Sequence, residues 1–168
     1  MNRNAVPPTR AGEPLATHSE SGDGYRRPAL TVDGVILQRL PQGLQGEEFS
    51  VLLVERGREP FRGSYALPGG FVDYDEDIDD AVSREIAEET GLTGLPFRQF
   101  RTFGQPGRDP RGHTVSVVYV AVILGEAPPV AAGDDAASAA WFPVSRLPDL
   151  AFDHAQILAR VLATLKPE

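Results

Sequence analysis

Two kinds of hydrophobic spacing alternate along this chain. Runs of β-branched and aliphatic residues predict strands at 31–40, 49–56, 98–103, 114–124 and 139–144. The run at 114–124 is apolar on both faces, which is typical of a strand in the middle of a sheet. Helical spacing predicts a helix over 77–90 and a second helix capped by Asp153. These elements predict an α/β fold in which a mixed β-sheet lies between helical layers.

The other segments divide the chain into a tail and one domain. Residues 1–27 are rich in Pro, Gly and Ser and lack apolar periodicity, so we expect a disordered N-terminal arm. The domain is expected to cover 28–168, a length that suits one hydrophobic core. Within it, residues 58–73 contain closely spaced Pro and Gly and predict a turning loop.

The helix over 77–90 carries glutamates on its apolar side. At about 100° per residue, Glu85 and Glu89 fall among the apolar positions, which are Ile78, Ala81, Val82 and Ile86. The residues predicted on the opposite side are Asp79, Ser83 and Thr90. A solvated charged face would have the reverse arrangement, so two glutamates are predicted to point inward.

Carboxylates at this spacing favour a bound cation. Glu85, Glu88 and Glu89 stand at i, i+3 and i+4, where like charges repel and resist burial unless a proton or a metal compensates them. Oxygen donors in a chain with no Cys and 3 His favour Mg²⁺ or Mn²⁺ over zinc. We therefore expect a divalent metal cofactor.

Composition and charge exclude other classes. The 16 Lys and Arg against 24 Asp and Glu give a net charge of −8, which disfavours a nucleic-acid binder held by phosphate contacts. The lack of cysteine excludes disulfides and thiolate nucleophiles. No apolar stretch is long enough to span a bilayer, and the first residues lack a signal-peptide core. We expect a soluble, cytoplasmic protein without nucleic-acid or membrane partners.

The acidic helix also carries a specific motif. From Gly70 the order is Gly, five residues, Glu76, seven residues, and then Arg-Glu-Ile-x-Glu-Glu-x-Gly-Leu, which ends at Leu92. This order resembles the Nudix box at every specified position, and the flanking segments resemble the family over about 28–166. The resemblance implies the α/β/α sandwich fold of this family. It also implies the activity of a Nudix hydrolase, which uses divalent metal to cleave the pyrophosphate of nucleoside diphosphate derivatives.

The resemblance also implies roles for individual residues. Glu88 and Glu89 are implied metal ligands, and the Gly69 carbonyl is an implied backbone ligand. Glu85 is either a ligand or the catalytic base. The pair expected to act as a scaffold is Glu76 and Arg84.

The catalytic base has more than one candidate. In some Nudix enzymes an acidic residue in the loop before the last strand acts as the base. Here that loop offers Asp134 and Asp135, whereas the nearer position, where relatives often place Glu, is Ser138. Glu85 is the other candidate.

Four loop arginines are candidates for substrate contact: Arg58, Arg62, Arg108 and Arg111. Guanidinium groups suit phosphate oxygens and sugar hydroxyls. The segments 103–121 and 147–158 resemble ADP-ribose pyrophosphatases, which implies hydrolysis of ADP-ribose to AMP and ribose 5-phosphate. The three histidines, His18, His113 and His154, are given no chemistry.

Several alternatives are left open by the sequence. The same box can serve other nucleoside diphosphate sugars, dinucleotides such as NADH, and damaged nucleoside triphosphates. A ligand-binding Nudix module, as in transcriptional regulators of NAD metabolism, has a similar core. Those regulators add a winged-helix domain; from the few residues after the terminal helix and the net charge of −8, we expect no such DNA-binding domain here. A small nucleotide is the expected partner, and a homodimer is left open.

Overall fold

A computed structural model describes residues 26–39, 49–133 and 136–165. Almost all of the predicted N-terminal arm lies outside these ranges, so the domain boundary at 28 stays a prediction. The described strands are β1 Ala29–Arg39, β2 Phe49–Arg56, β3 Tyr65–Ala66, β4 Gly69–Phe71, β5 Arg98–Phe103, β6 Thr114–Leu124 and β7 Ala136–Pro143. The described helices are α1 Ile78–Thr90 and α2 His154–Leu165.

The predicted strands and both helices are confirmed, with two differences. The last strand begins at Ala136, earlier than expected, because its small residues pair with β2. The loop predicted over 58–73 contains β3 and β4. These strands are two and three residues long, too short for a periodic pattern to reveal them.

The strands form one mixed sheet with the order β3-β2-β1-β6-β5, while β4 pairs with β1 and β7 pairs with β2. β1 runs parallel to β6 along its whole length, from Ala29 beside Thr114 to Arg39 beside Leu124. The other strand pairs are antiparallel. The apolar run over 114–124 therefore lies inside the sheet, as predicted.

The other edge of β1 is shared by two strands. Its residues 31–33 pair with β4, and its residues 37–39 pair with β2. Between these two pairings, Gly34 donates its N–H to the carbonyl of Pro68. The strands thus fork at this point, and the turn that leads into β4 is held at the fork.

Each face of the sheet is covered by one helix. Alternate residues of β1 and β2 point to opposite faces, so each strand supplies both cores. The core under α2 contains Val35, Leu37, Val51, Leu53, Ile157, Leu158 and Val161. The core under α1 contains Val32, Ile36, Leu52, Ala81, Val82 and Ile86. The predicted α/β/α sandwich is confirmed, and no helix of the described part is long and apolar enough to cross a membrane.

α1 begins and ends with strong local signals. The side chain of Asp77 caps it by accepting from the Asp79 N–H at 2.9 Å, and Gly91 closes it in the left-handed conformation with φ 75°. One placement on its polar side, that of Thr90, was wrong: this residue is fully buried, and its hydroxyl donates to the Ile86 carbonyl. Asp79 is exposed, as predicted, and accepts a hydrogen bond from the Tyr119 hydroxyl.

Candidate active site

An open cleft of about 810 Å³ lies beside the N-terminal half of β1. It is lined by parts of β1, β2, β4 and α1, by the loop before β6 and by the start of α2. Six residues predicted from the sequence line it: Gly69, Glu85, Glu89, Arg58, Arg108 and Arg111. Acidic and basic side chains from distant parts of the chain therefore face one cavity.

The turn over 67–69, called the glycine turn below, and the adjoining Gly70 bring backbone into close contact with α1. A side-chain carbon on Gly70 would overlap the Glu85 carboxylate, and one on Gly69 would overlap the Val32 carbonyl oxygen. Gly69 also has φ 151°, which side chains disfavour. Glycine at both positions therefore lets β4 lie directly against α1.

Glu85 and Glu89 point inward, as the helical spacing predicted. Glu89 Oε2 accepts the Gly69 N–H at 2.9 Å. Burial raises the pKa of Glu89 to about 7, although this hydrogen bond favours the charged form. Burial also raises the pKa of Glu85, against the opposing effect of Arg84. Both carboxylates lack enough positive charge around them to offset their desolvation.

Glu88 lies on the outer side of α1. Its side chain is 59% exposed, and one oxygen accepts from the Arg84 guanidinium at 3.2 Å. It does not belong to the cleft lining. The ligand role that the Nudix resemblance implies for Glu88 therefore stays a prediction.

Arg84 and Glu76 form a bidentate ion pair that ties α1 to β4. Nε and Nη2 of Arg84 lie 2.7 and 2.8 Å from the two Glu76 oxygens, and Nη2 also donates to the Phe71 carbonyl at 3.1 Å. Nη1 donates to Glu85 at 2.9 Å. This guanidinium, helped by the Asp73 N–H, lowers the pKa of Glu76 to about 2.

We expect Glu76→Gln to lower the melting temperature at pH 7 while activity at 25 °C stays within a few-fold of wild type. Because the pKa is lowered on folding, the contribution of ionised Glu76 is complete above the ordinary value of 4.5 and is lost as the pH falls toward 2. The gap in melting temperature between wild type and Glu76→Gln should therefore narrow below about pH 4.5. Thermal unfolding from pH 3 to pH 8 measures it. Asp80→Asn, the same charge change on the exposed face of α1, is the control, and an equal gap for this variant would contradict the scaffold role.

The four predicted arginines occupy different environments. Arg108 is 6% exposed and binds both Asp153 oxygens, at 2.7 and 3.0 Å. Arg111 lies beside Asp109, with its Nη2 2.8 Å from Asp109 Oδ2. Arg58 lines the cleft, whereas Arg62 is exposed and outside its lining.

Sequence reasoning missed several cleft residues. Asp33 lies within the apolar run of β1, and His154 opens α2 with its ring buried. Arg56 ends β2 and faces the cleft with its neighbour Glu55. A polar residue inside an apolar strand was the available signal for Asp33. The strand-end position was the signal for Arg56.

The predicted loop acids, Asp134 and Asp135, lie outside the described residues. The residue before them, Gly133, donates its N–H to the Glu89 carbonyl at 3.2 Å. Ser138, at the position where relatives often carry Glu, donates to Glu55 Oε2 at 2.8 Å. The identity of the base stays a prediction.

The donor set suits a hard divalent cation. The described residues contain no preformed group of three or more Asp, Glu, His or Cys side chains that could hold a metal. Glu85 and Glu89 nevertheless supply carboxylate oxygens beside the Gly69 backbone, and their raised pKa values reflect charge that a cation would stabilise. These residues fit Mg²⁺ or Mn²⁺ by chemistry, with the remaining ligands to be supplied by water or substrate.

Comparison with known proteins identifies the class. The family model described as the NUDIX domain matches residues 34–165, and the chain belongs to the Nudix family. It is 42% identical to an ADP-ribose pyrophosphatase of Methanocaldococcus jannaschii over 134 residues, which cover 80% of this chain and 73% of that protein. The resemblance to this branch of the family is thereby confirmed.

Regulators of the same family are also similar. The chain is 34% identical to the ADPR responsive transcriptional repressor NtrR of Acinetobacter baylyi, over 90% of this chain and 59% of the repressor. The NUDIX domain of Shewanella oneidensis NrtR, solved with ADP ribose, superposes with a TM-score of 0.76 at 30% identity. That match covers 88% of this chain and 95% of the solved domain.

Proposed function

We propose that the protein is a divalent-metal-dependent pyrophosphohydrolase that converts ADP-ribose and water to AMP and ribose 5-phosphate. The observation that carries this proposal is the cleft itself, where half-buried Glu85 and Glu89 and the guanidinium groups of Arg56 and Arg111 line one cavity. Its volume of about 810 Å³ lies within the range of small-molecule sites. The pyrophosphatase relative supports the choice of substrate.

The acidic side chains require a cation before they can share the cleft with a diphosphate. Glu85, Glu89 and the Gly69 carbonyl would hold Mg²⁺ or Mn²⁺, with Glu88 as a further ligand. When bound, the ion would supply positive charge that offsets the carboxylates and the diphosphate, and would act as a Lewis acid. Glycine at 69 and 70 keeps the backbone close enough to the helix for this set to assemble.

The basic side chains bind and orient the diphosphate in this proposal. Arg56 and Arg111 line the same cleft and present guanidinium groups that match phosphate oxygens. A base, Glu85 or one of Asp134 and Asp135, takes a proton from the attacking water. The water oxygen bonds to one phosphorus, and the bond from that phosphorus to the bridging oxygen breaks. The bridging oxygen leaves with the other phosphate, which accepts the proton taken from the water.

We expect ADP-ribose to have the highest kcat/KM among common nucleotides. The comparison set is nucleoside diphosphate sugars, NADH and oxidised nucleoside triphosphates, with the products identified by chromatography. If the kcat/KM of another substrate exceeded that of ADP-ribose about tenfold, roughly 1.4 kcal/mol of transition-state preference, the substrate assignment would be overturned. Hydrolysis of none of them would overturn the enzymatic proposal.

A second candidate is a module that binds ADP-ribose without turnover. The similarity to the repressor and to the ADP-ribose-bound domain favours it. Calorimetric binding of ADP-ribose with no product after prolonged incubation in Mg²⁺ or Mn²⁺ would select this function. Product formation would select the hydrolase.

A further inference from the structure

Three consecutive residues at the start of α2 contact three different parts of the cleft. They are Phe152, Asp153 and His154, and Phe152 has φ 56°. A bulky side chain rarely adopts this left-handed conformation, and such residues concentrate at functional sites. The backbone turn at Phe152 directs the three side chains to different neighbours.

The Phe152 ring holds two guanidinium groups. Arg56 lies 4.7 Å and Arg111 5.3 Å from its centroid. Phe61 packs edge-on against the same ring at 4.9 Å. Arg56 also donates to the Pro60 carbonyl at 2.8 Å. Two like charges are thus kept near one another by an aromatic ring, an arrangement that an anion between them would stabilise.

The positive charge of Arg111 acts on its neighbour Arg56. Burial lowers the pKa of Arg56, and the neighbouring Arg111 lowers it further. Asp109 partly balances the pair through Arg111. Phe152 is the ring that both guanidinium groups contact, so its loss would remove the contact that these two arginines share.

Asp153 fixes the segment to the sheet. It binds Arg108 through both oxygens, and Arg108 lies 3.8 Å from Asp33 Oδ2 on β1. Asp33 in turn accepts a hydrogen bond from Ser116 on β6. These buried polar groups satisfy one another, which makes the position of the segment well defined.

His154 holds the glycine turn. Its Nδ1 accepts the buried Leu67 N–H at 2.9 Å, and its Nε2 lies 3.8 Å from Asp33 Oδ1. Two residues later, Gly69 donates to Glu89 at 2.9 Å. Pro68, between them, has no N–H. Both N–H groups of the turn are therefore held by side chains, one from α2 and one from α1.

We propose that Phe152, Asp153 and His154 form a positioning element, in which Phe152 sets the spacing of Arg56 and Arg111 for a diphosphate and His154 sets the glycine turn beside Glu89. The inference deepens the proposed function and rests on it for the reaction, but its two contacts can be tested by binding alone. None of the three residues touches the reacting atoms in this proposal.

The Phe152 contact is tested with Phe152→Leu against Phe152→Tyr. We expect Phe152→Leu to raise KM for ADP-ribose about tenfold with kcat within about twofold, because two cation–π contacts are lost. Phe152→Tyr keeps the ring and should resemble wild type. Calorimetry with inorganic pyrophosphate in the presence of Mg²⁺ should show a matching loss of affinity. An unchanged pyrophosphate affinity in Phe152→Leu, or no binding by wild type, would overturn this half of the proposal.

The His154 contact is tested with His154→Leu against His154→Asn. Asn keeps an acceptor near the position of Nδ1, whereas Leu removes it at similar volume. We expect His154→Leu to weaken Mn²⁺ binding, measured by electron paramagnetic resonance, about tenfold, and to shift the Leu67 amide resonance. His154→Asn should restore both, and His113→Leu, at an exposed histidine, should change neither.

The outcomes separate this inference from the proposed function. One outcome is that wild type hydrolyses none of the nucleotides, while Phe152→Leu loses pyrophosphate affinity and His154→Leu loses Mn²⁺ affinity and shifts the Leu67 resonance. In that case the proposed function fails and the positioning element stands. If His154→Leu lowers only the melting temperature and binds Mn²⁺ like wild type at 25 °C, the residue has a structural role alone and the inference fails.

Discussion

Glu89→Gln is expected to reduce kcat for ADP-ribose by at least about 10², the loss typical of removing a charged group from a metal-assisted site. Gln has nearly the same volume and its amide oxygen can still accept the Gly69 N–H, so the fold should be retained. What is lost is the buried negative charge that would hold a divalent cation. Steady-state kinetics at saturating Mg²⁺, with circular dichroism to verify folding, measures the effect.

Two companion variants sharpen this result. Glu76→Gln, in the scaffold pair, should stay within a few-fold of wild type in kcat. Glu88→Gln tests the ligand set that the Nudix box implies: a loss as large as that of Glu89→Gln assigns Glu88 to the metal, and a loss of a few-fold assigns it to the helix surface. Similar mild losses in Glu76→Gln and Glu89→Gln would contradict the roles given to both.

Exhaustive chelation is expected to lower the hydrolysis rate by at least about 10³, since metal stabilisation of a phosphoryl transition state amounts to several kcal/mol. Without a cation, the half-buried carboxylates of Glu85 and Glu89 repel the diphosphate. Mg²⁺ or Mn²⁺ added back should restore the rate, and near-UV circular dichroism should show an intact fold throughout. Full activity after chelation would overturn the metal-dependent mechanism.

The sequence predicted the elements that periodicity and motif define. The apolar runs located the long strands, and the helical wheel of α1 identified Glu85 and Glu89 as inward-facing. It misplaced Thr90, because a hydroxyl that bonds to the preceding turn of its own helix can be buried at little cost. Periodicity describes hydrophobicity and does not detect this local hydrogen bond.

Contacts between distant segments were beyond the sequence. Asp153 was predicted as a helix cap, and its carbonyl does accept the first helical N–H groups. Its carboxylate, however, binds Arg108, which is 45 positions away. His154 and Leu67 are 87 positions apart, and only the folded sheet brings them together. Residue roles of this kind depend on the order of the strands and helices in space, and local sequence patterns carry no record of it.

The position of Phe152–His154 along the chain affects when the cleft is completed. Translation proceeds from the N-terminus, so β1, the acidic helix and the arginine loops emerge from the ribosome before this segment does. In a nascent chain that lacks α2, His154 is not yet in place to accept the Leu67 N–H. The anchor at Leu67, which holds the turn beside Glu89, is therefore missing. Competence for hydrolysis therefore arises at the end of synthesis of the domain. Conversely, local opening of Phe152–His154 in the finished protein would release the anchor at Leu67 while Ile157 and Leu158 of α2 stayed packed on the sheet.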